Sequence, residues 1–577
     1  MSTYLALVAS DLDAPATASA RAIAALRLAG TQAVETRHAR GFAAAAARTG
    51  ARPALLSVDD LTIVGDVRLD DRTGLQSALR VAAVNDLMLV GAAWRAWGVG
   101  AIDRLRGDFS FVLWDATTST LIGARDGMGV RPLYYAQLRD TLVVSNVLDA
   151  VRGCEGISAA LHEPAVRSFL ERGWNADTTT TTFSAIRRLA PGTMIVRTPA
   201  ASLTVRTHWT IPDPEPLTLP DDGAYVERYR ELLAAAVRDR LESPATLLFL
   251  SGGIDSPSIA AAAAAEAGTE TRLISVTMRT HDVEDGTEAR LAASVAARLG
   301  IPNRLIDANT DPRPEERRQT PEPYDDAEFA GYCSMLAGLS ASSSVVFDGE
   351  DGDALFSPPG FAAMIRRYPV ASLLVRCMAY TLQSGRHPYM GFWLARRLGL
   401  ARDEPVGVPS WLTRRASCIP DARETSPLPN RARPEAAARF SGSIWQSVMD
   451  GADRAWHGAP IEVRWPLLDS RILEFVFAIP PVPWCQRKHL ARRAFAAELP
   501  AEVISRPKTT VPGYHARLVQ SWRERTGAAV AELDERTRDF VDPVGLDRVL
   551  RSGGTEHVLA AWRALQFDQW IRGARAA

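Results

Sequence analysis

Two short stretches of this 577-residue chain hold side chains whose types and spacing could do chemistry. The first is TLLFLSGGIDSPSIAAAAAAEA, residues 246–267. An apolar strand pattern runs directly into Ser251-Gly252-Gly253-Ile254-Asp255-Ser256, and a helix pattern starts at once. The two glycines let backbone approach a ligand closely, the serines add hydroxyl donors, and a helix start leaves N–H groups unpaired, so the loop suits phosphate. Asp255 would repel that phosphate unless a cation lay between them, which implies Mg²⁺ bridging carboxylate and phosphate oxygens. The second stretch, VVFDGEDGDALF at 345–356, follows a strand pattern with Asp348, Glu350, Asp351 and Asp353 among glycines. Taken alone it also admits the reading of a solvated acidic turn. As a partner to the first loop, at the carboxyl end of another strand, it reads as a cation site.

The elements that must position these loops follow from pattern. Strands Thr246–Leu250 and Arg272–Met278 alternate with helices Ala224–Leu241, Pro257–Ala267 and Glu288–Leu299, which predicts an α/β parallel sheet covered on both faces. Upstream, short apolar runs (Leu61–Val64, Phe109–Trp114, Thr120–Ala124, Thr141–Ser145) and a helix at 85–97 predict an α+β domain. Between the two, IPDPEPLTLPDDG (211–223) packs four prolines and four acids into thirteen residues and reads as a linker. The expected units are therefore 1–210 and 224–577. Composition excludes several functions. Hydrophobic residues are 47%, charged residues 23%, and the net charge is −1, so no global field gathers nucleic acid or anionic membrane. No apolar run is long enough to span a bilayer or to serve as a signal, and five scattered cysteines form no CxxC pair, which places the chain in a reducing cytoplasm.

The loop SGGIDS carries the SGGxDS signature of the PP-loop pyrophosphatases, which cleave ATP between the α and β phosphates. With GTEARLAASVAARLGIPNR, VVFDGEDGDALF, VRWPLLDSRILEFVFAIP and SRPKTTVP in that order, the chain resembles the asparagine synthetase family. Its first third, through VGDVRLDDR, AWGVGAIDRLRGDFSFVLWD, ARDGMGVRPLYY and VVSNVLDAV, is similar to that family's glutamine-hydrolysing domain of the amino-terminal-nucleophile type. The resemblance implies that Ser251, Gly252, Gly253, Asp255 and Ser256 hold ATP phosphates and that Asp255 and Asp353 ligate Mg²⁺. It also implies that Glu350 lies near the nucleophile as its base, and that Lys508 stabilises charge as an acyl-adenylate forms and collapses.

One departure directs the functional reading. Glutamine-dependent members need a cysteine at the position exposed when Met1 is removed, because its thiolate attacks the carboxamide. This chain has Ser2, and its first cysteine is Cys154. The amidotransferase-like unit is thus expected to be degenerate, with the amine supplied by the substrate. Glu350 stands where β-lactam synthetases have tyrosine, and Arg366, Arg367, Arg386, Arg396 and Arg397 offer walls for a peptide. The reading is a lasso peptide cyclase: ATP adenylates an Asp or Glu side chain of a precursor peptide, and the peptide's amino-terminal amine closes a macrolactam. The resemblance implies a leader-binding protein and a leader protease as partners. The alternatives are β-lactam-type closure on a small molecule, asparagine formation from free ammonia, and a non-catalytic scaffold.

Overall fold

The computed structural model describes all residues except 10–17, 51, 84, 139, 200, 243, 280–285, 308–318, 326–327, 390–407, 423–429, 508–518, 520–526 and 577. Two six-stranded antiparallel sheets form the amino-terminal part. One runs, in spatial order, Arg187–Arg188, Tyr134–Leu138, Thr141–Ser145, Ser2–Ala9, Phe42–Arg48 and Glu35–Ala39. The other runs Ala201–Thr207, Thr193–Thr198, Thr120–Arg125, Gly107–Asp115, Leu61–Leu69 and Leu55–Val58. The sheets pack through alternate residues of their central strands, Tyr4, Ala6 and Val8 from one meeting Val64, Val112 and Leu121 from the other. The outer face of the second sheet buries Ile63, Phe109 and Phe111 under the Asp86–Trp97 helix. That helix begins where its sequence predicts, with the Asn85 carboxamide oxygen accepting from Met88 N–H at 3.0 Å.

Between Thr207 and Asp222 there is neither helix nor strand, as four prolines require. This segment is nevertheless held. Asp213 pairs with Arg431 at 2.9 Å, and Leu217 N–H donates to Ala478 O at 2.9 Å.

The remaining sheet is fully parallel, in the order Asn303–Asp307, Arg272–Arg279, Ala245–Phe249, Val345–Phe347, Glu462–Arg464. Its centre is buried on both sides, with Leu247 and Val346 wholly covered, and this is why these strands read as continuous apolar runs. The helices Asp222–Arg238, Asp255–Glu266 and Thr287–Leu299 fall within three residues of the expected spans. Among the described residues no helix is long and apolar enough to cross a membrane.

Candidate functional site

Ala245–Phe249 and Val345–Phe347 are neighbours in the parallel sheet, so the loops leaving their carboxyl ends lie side by side. The contact between them is close. A Cβ on Gly349 would stand 2.7 Å from the Ser256 backbone nitrogen, and one on Gly352 would strike the Asp255 carboxylate. Glycine at these two positions lets the acidic loop press on the first turn of the Asp255–Glu266 helix.

Within the first loop, Ser251 N–H donates to Ser256 Oγ at 3.0 Å, the two serine hydroxyls are 3.0 Å apart, and Gly253 N–H donates to Ser251 Oγ at 3.3 Å. The open N–H groups expected from sequence are therefore partly engaged. Gly252 N–H in particular donates to Glu288 Oε1 at 2.7 Å, and Glu288 is in turn paired with Arg506. A carboxylate oxygen thus stands where the loop would hold a phosphate oxygen.

The second loop is ordered by its own backbone. Glu350 N–H donates to Asp348 Oδ1 at 2.9 Å, and Asp348 N–H donates to Arg464 O at 2.9 Å across to the next strand. Asp351, at φ +63°, turns the chain into the short Gly352–Leu355 helix, and Arg439 lies 3.2 Å from its carboxylate. Burial pushes the Asp348 carboxyl up to about 6, with nearby Asp351 adding to the rise.

Lys488 joins the two loops. Its ammonium pairs with Asp255 and lies 2.6 Å from Asp353 Oδ1. Burial raises the Asp255 carboxyl, Lys488 opposes the rise, and Asp353 reinforces it. Asp255 Oδ1 is buried without a hydrogen-bond partner. Two carboxylates sharing one cation, with one oxygen still unsatisfied, are a donor set suited to a hard divalent ion.

The structure therefore brings together Ser251, Gly252, Gly253, Asp255, Ser256 and Asp353, with Glu350 exposed on the same acidic loop. Lys508 lies outside the described residues, as do Arg396 and Arg397. Lys488, Glu288 and Arg506 were not singled out from sequence. Glu288 and Arg506 do fall inside the GTEAR and SRPK motifs, whereas Lys488 sits in no motif recognised there. Tyr332 is a further neighbour, its phenol held protonated by burial and by the charges of Asp348 and Glu350.

The family described as Asparagine synthase matches residues 228–572, more than half of the chain and both loops. The chain belongs to the asparagine synthase family. The family described as Glutamine amidotransferase domain matches residues 71–209, so an amidotransferase-like domain precedes the synthase domain. Among curated relatives, Amidase chry2 of Gibberella zeae is 31% identical over 236 residues, 38% of this chain and 34% of that protein. Amidase chyE of Penicillium rubens is 27% identical over 305 residues, 50% of this chain and 45% of that protein. The chain thus spans less than half the length of these two relatives. Asparagine synthetase [glutamine-hydrolyzing] 3 of Bacillus subtilis is 22% identical over 552 residues, 89% of this chain and 85% of that protein. The domain order is thus an amidotransferase-like domain followed by an asparagine synthase domain.

Proposed function

We propose that this asparagine synthase family member is a macrolactam-forming ligase of the lasso peptide cyclase type. ATP activates an Asp or Glu side chain of a precursor peptide as its adenylate, and the peptide's own amino-terminal amine closes the ring, releasing pyrophosphate and AMP. The observation that carries this reading is Ser2. It is a buried residue of the Ser2–Ala9 strand, its carbonyl held by Asn146 Nδ2 at 2.8 Å, with no thiol at the position that glutamine hydrolysis requires. Cys154 does not substitute, because burial pushes its thiol up to about 11. Without a glutaminase nucleophile, the amine must come from elsewhere, and a substrate that holds its own amine needs no second donor.

In this reading Gly252 and Gly253 N–H groups and the Ser251 and Ser256 hydroxyls hold the phosphates, and Asp255 and Asp353 hold the cation. Mg²⁺ would neutralise phosphate charge at that position when bound. Lys488, already between these carboxylates, and Lys508 supply positive charge toward the developing anion. Glu350 accepts the proton of the attacking amine. Ordering the peptide before closure is the enzyme's main task, since orientation contributes on the order of 7–11 kcal/mol to such a step. A leader-binding protein and a leader protease are the proposed partners, in the cytoplasm.

The test is pyrophosphate release with ATP, Mg²⁺ and candidate precursor peptides. The expected product is a peptide lighter by one water. The asparagine synthetase relatives favour a second reading, asparagine from aspartate and ammonia. Asparagine formed with free ammonia, while peptides give no pyrophosphate, would establish that second reading instead.

A further inference from the structure

The helix Val370–Ser384 buries only Leu373 and Tyr380, which pack on Met364 and Val482. Five of its other apolar side chains face solvent: Leu382 is 86% exposed, Val375 61%, Met378 58%, and Leu374 and Val370 about half. At 100° per residue, positions 370, 374, 378 and 382 fall on one arc, distinct from the arc that holds 373 and 380. Single exposed apolar residues are ordinary, but five along one helix face mark a surface that something covers.

Two features of the page say what that occupant is. The first is charge. From residue 354 to residue 389 there is no aspartate or glutamate, while Arg366, Arg376 and Arg386 are present; the Arg367 side chain is mostly covered and already paired with Asp213. Arg386 lies just past the helix end, near Arg492 and Arg487. Burial, together with the repulsion of Arg487 and Arg386, lowers the Arg492 guanidinium, and Asp255 opposes the fall. The second is position. Tyr389 N–H donates to Gln486 Oε1 at 2.8 Å, which ties this helix end to the segment that carries Lys488, and Lys488 pairs with Asp255. The apolar stripe therefore leads to a positive patch beside the phosphate loop.

We propose that this face seats an acidic, apolar segment of the peptide substrate, with apolar side chains on Leu374, Met378 and Leu382 and carboxylates toward Arg386. The inference rests on the peptide reading above and adds where the peptide lies. Attachment along the helix delivers an acidic side chain toward the loop where activation takes place, and it raises the local concentration of that carboxylate.

The experiment uses the full chain without ATP and a fluorescent synthetic peptide repeating leucine and glutamate at helical spacing. Versions with serine for leucine and with lysine for glutamate serve as controls. Fluorescence anisotropy is expected to give binding at least ~10-fold tighter for the acidic apolar peptide than for either control. L374S/M378S, which changes only exposed side chains, is expected to lose that binding by ~10-fold, and Arg386→Glu to weaken the preference for glutamate over lysine. Equal binding of acidic and basic peptides, or no effect of L374S/M378S, overturns the proposal. So does a concentration-dependent dimer, abolished by L374S/M378S, in a chain that binds no peptide, since a second copy then covers the face. Ring closure at unchanged KM in L374S/M378S removes the docking site and leaves the cyclase reading standing. Peptide binding on this face, with no pyrophosphate released from any peptide, removes the cyclase reading and leaves the docking site.

Discussion

The Lys488 ammonium lies 2.6 Å from Asp353 Oδ1 while also pairing with Asp255, so one cation of the protein occupies the space between the two carboxylates assigned to a metal. Arg487 and Lys488 both adopt left-handed backbone, at φ +50° and +58°, to bring it there. Conformations so uncommon outside glycine are held only where surrounding structure enforces them. A divalent ion held by these carboxylates, as proposed, would compete with the ammonium for the same oxygens.

Lys488→Met is expected to separate these roles. With the ammonium gone, Asp255 and Asp353 face each other unneutralised, and Mn²⁺ binding in the absence of nucleotide is expected to tighten by roughly tenfold. Pyrophosphate release is expected to fall by roughly 10²-fold, because in the proposed function this charge acts on the departing phosphates. Electron paramagnetic resonance of Mn²⁺ measures the first effect and a coupled phosphate assay the second. Unchanged metal affinity would show that the lysine does not contend with the ion.

Glu288 imitates the other half of a nucleotide–metal complex. Its Oε1 accepts from Gly252 N–H at 2.7 Å, and it pairs with Arg506. In the proposed function, a phosphate bound at Gly252 would displace a carboxylate that is already hydrogen-bonded. Glu288→Gln keeps the acceptor, removes the negative charge and releases Arg506, so the ATP dissociation constant is expected to fall by about 3- to 10-fold. Calorimetric titration with ATP decides it, and weaker binding would mean that Glu288 chiefly positions Arg506.

Asp348 gives a pH-dependent prediction whose sign follows from its raised carboxyl, at about 6. Around pH 4–6 the folded chain keeps a proton that the unfolded chain releases, so this residue's contribution to stability falls as pH rises through that window. Above it the fold carries an ionised, partly buried carboxylate at a constant penalty of at most about 3 kcal/mol. Asp348→Asn retains an oxygen for Glu350 N–H, which the present Oδ1 accepts at 2.9 Å. Urea unfolding is expected to find this variant more stable than the parent near pH 7.5 and equal to it near pH 4. Equal destabilisation at both values would trace the effect to a lost hydrogen bond.

Much of this site was legible in the sequence because its signals are local. An apolar strand, two glycines and a helix start within twelve residues placed Ser251–Ser256, and a strand ending in four carboxylates placed Asp353. Lys488 was not legible, since nothing beside it in sequence announces two consecutive left-handed residues, and its partner Asp255 is 233 positions away. The charges between the domains were hidden for the same reason. Arg131 reaches Glu462 across 331 positions, and each reads alone as an ordinary surface residue although both are buried.

That buried network gives the amidotransferase-like domain a physical role in the fold. Glu462, in the edge strand beside Val345–Phe347, pairs with Arg52 and Arg131 of the amino-terminal domain and with Arg464 at 2.9 Å. Arg131 also lies 3.1 Å from Asp66, and Arg188 pairs with both Glu322 and Asp450. Arg464 is the residue whose carbonyl accepts from Asp348 N–H, so these charges bear on the placement of the acidic loop. Removing Arg131 leaves Asp66 buried without its ion-pair partner and Glu462 with Arg52 and Arg464 alone, and breaking a buried pair in this way costs about 3–5 kcal/mol. Arg131→Met is therefore expected to lower global stability by about that amount, and the two domains to unfold in a single transition in the parent chain. Calorimetry with a fluorescence probe in each domain checks both statements. Two separate transitions in the parent, or an Arg131→Met variant as stable as the parent, would mean that the synthase domain stands without these countercharges.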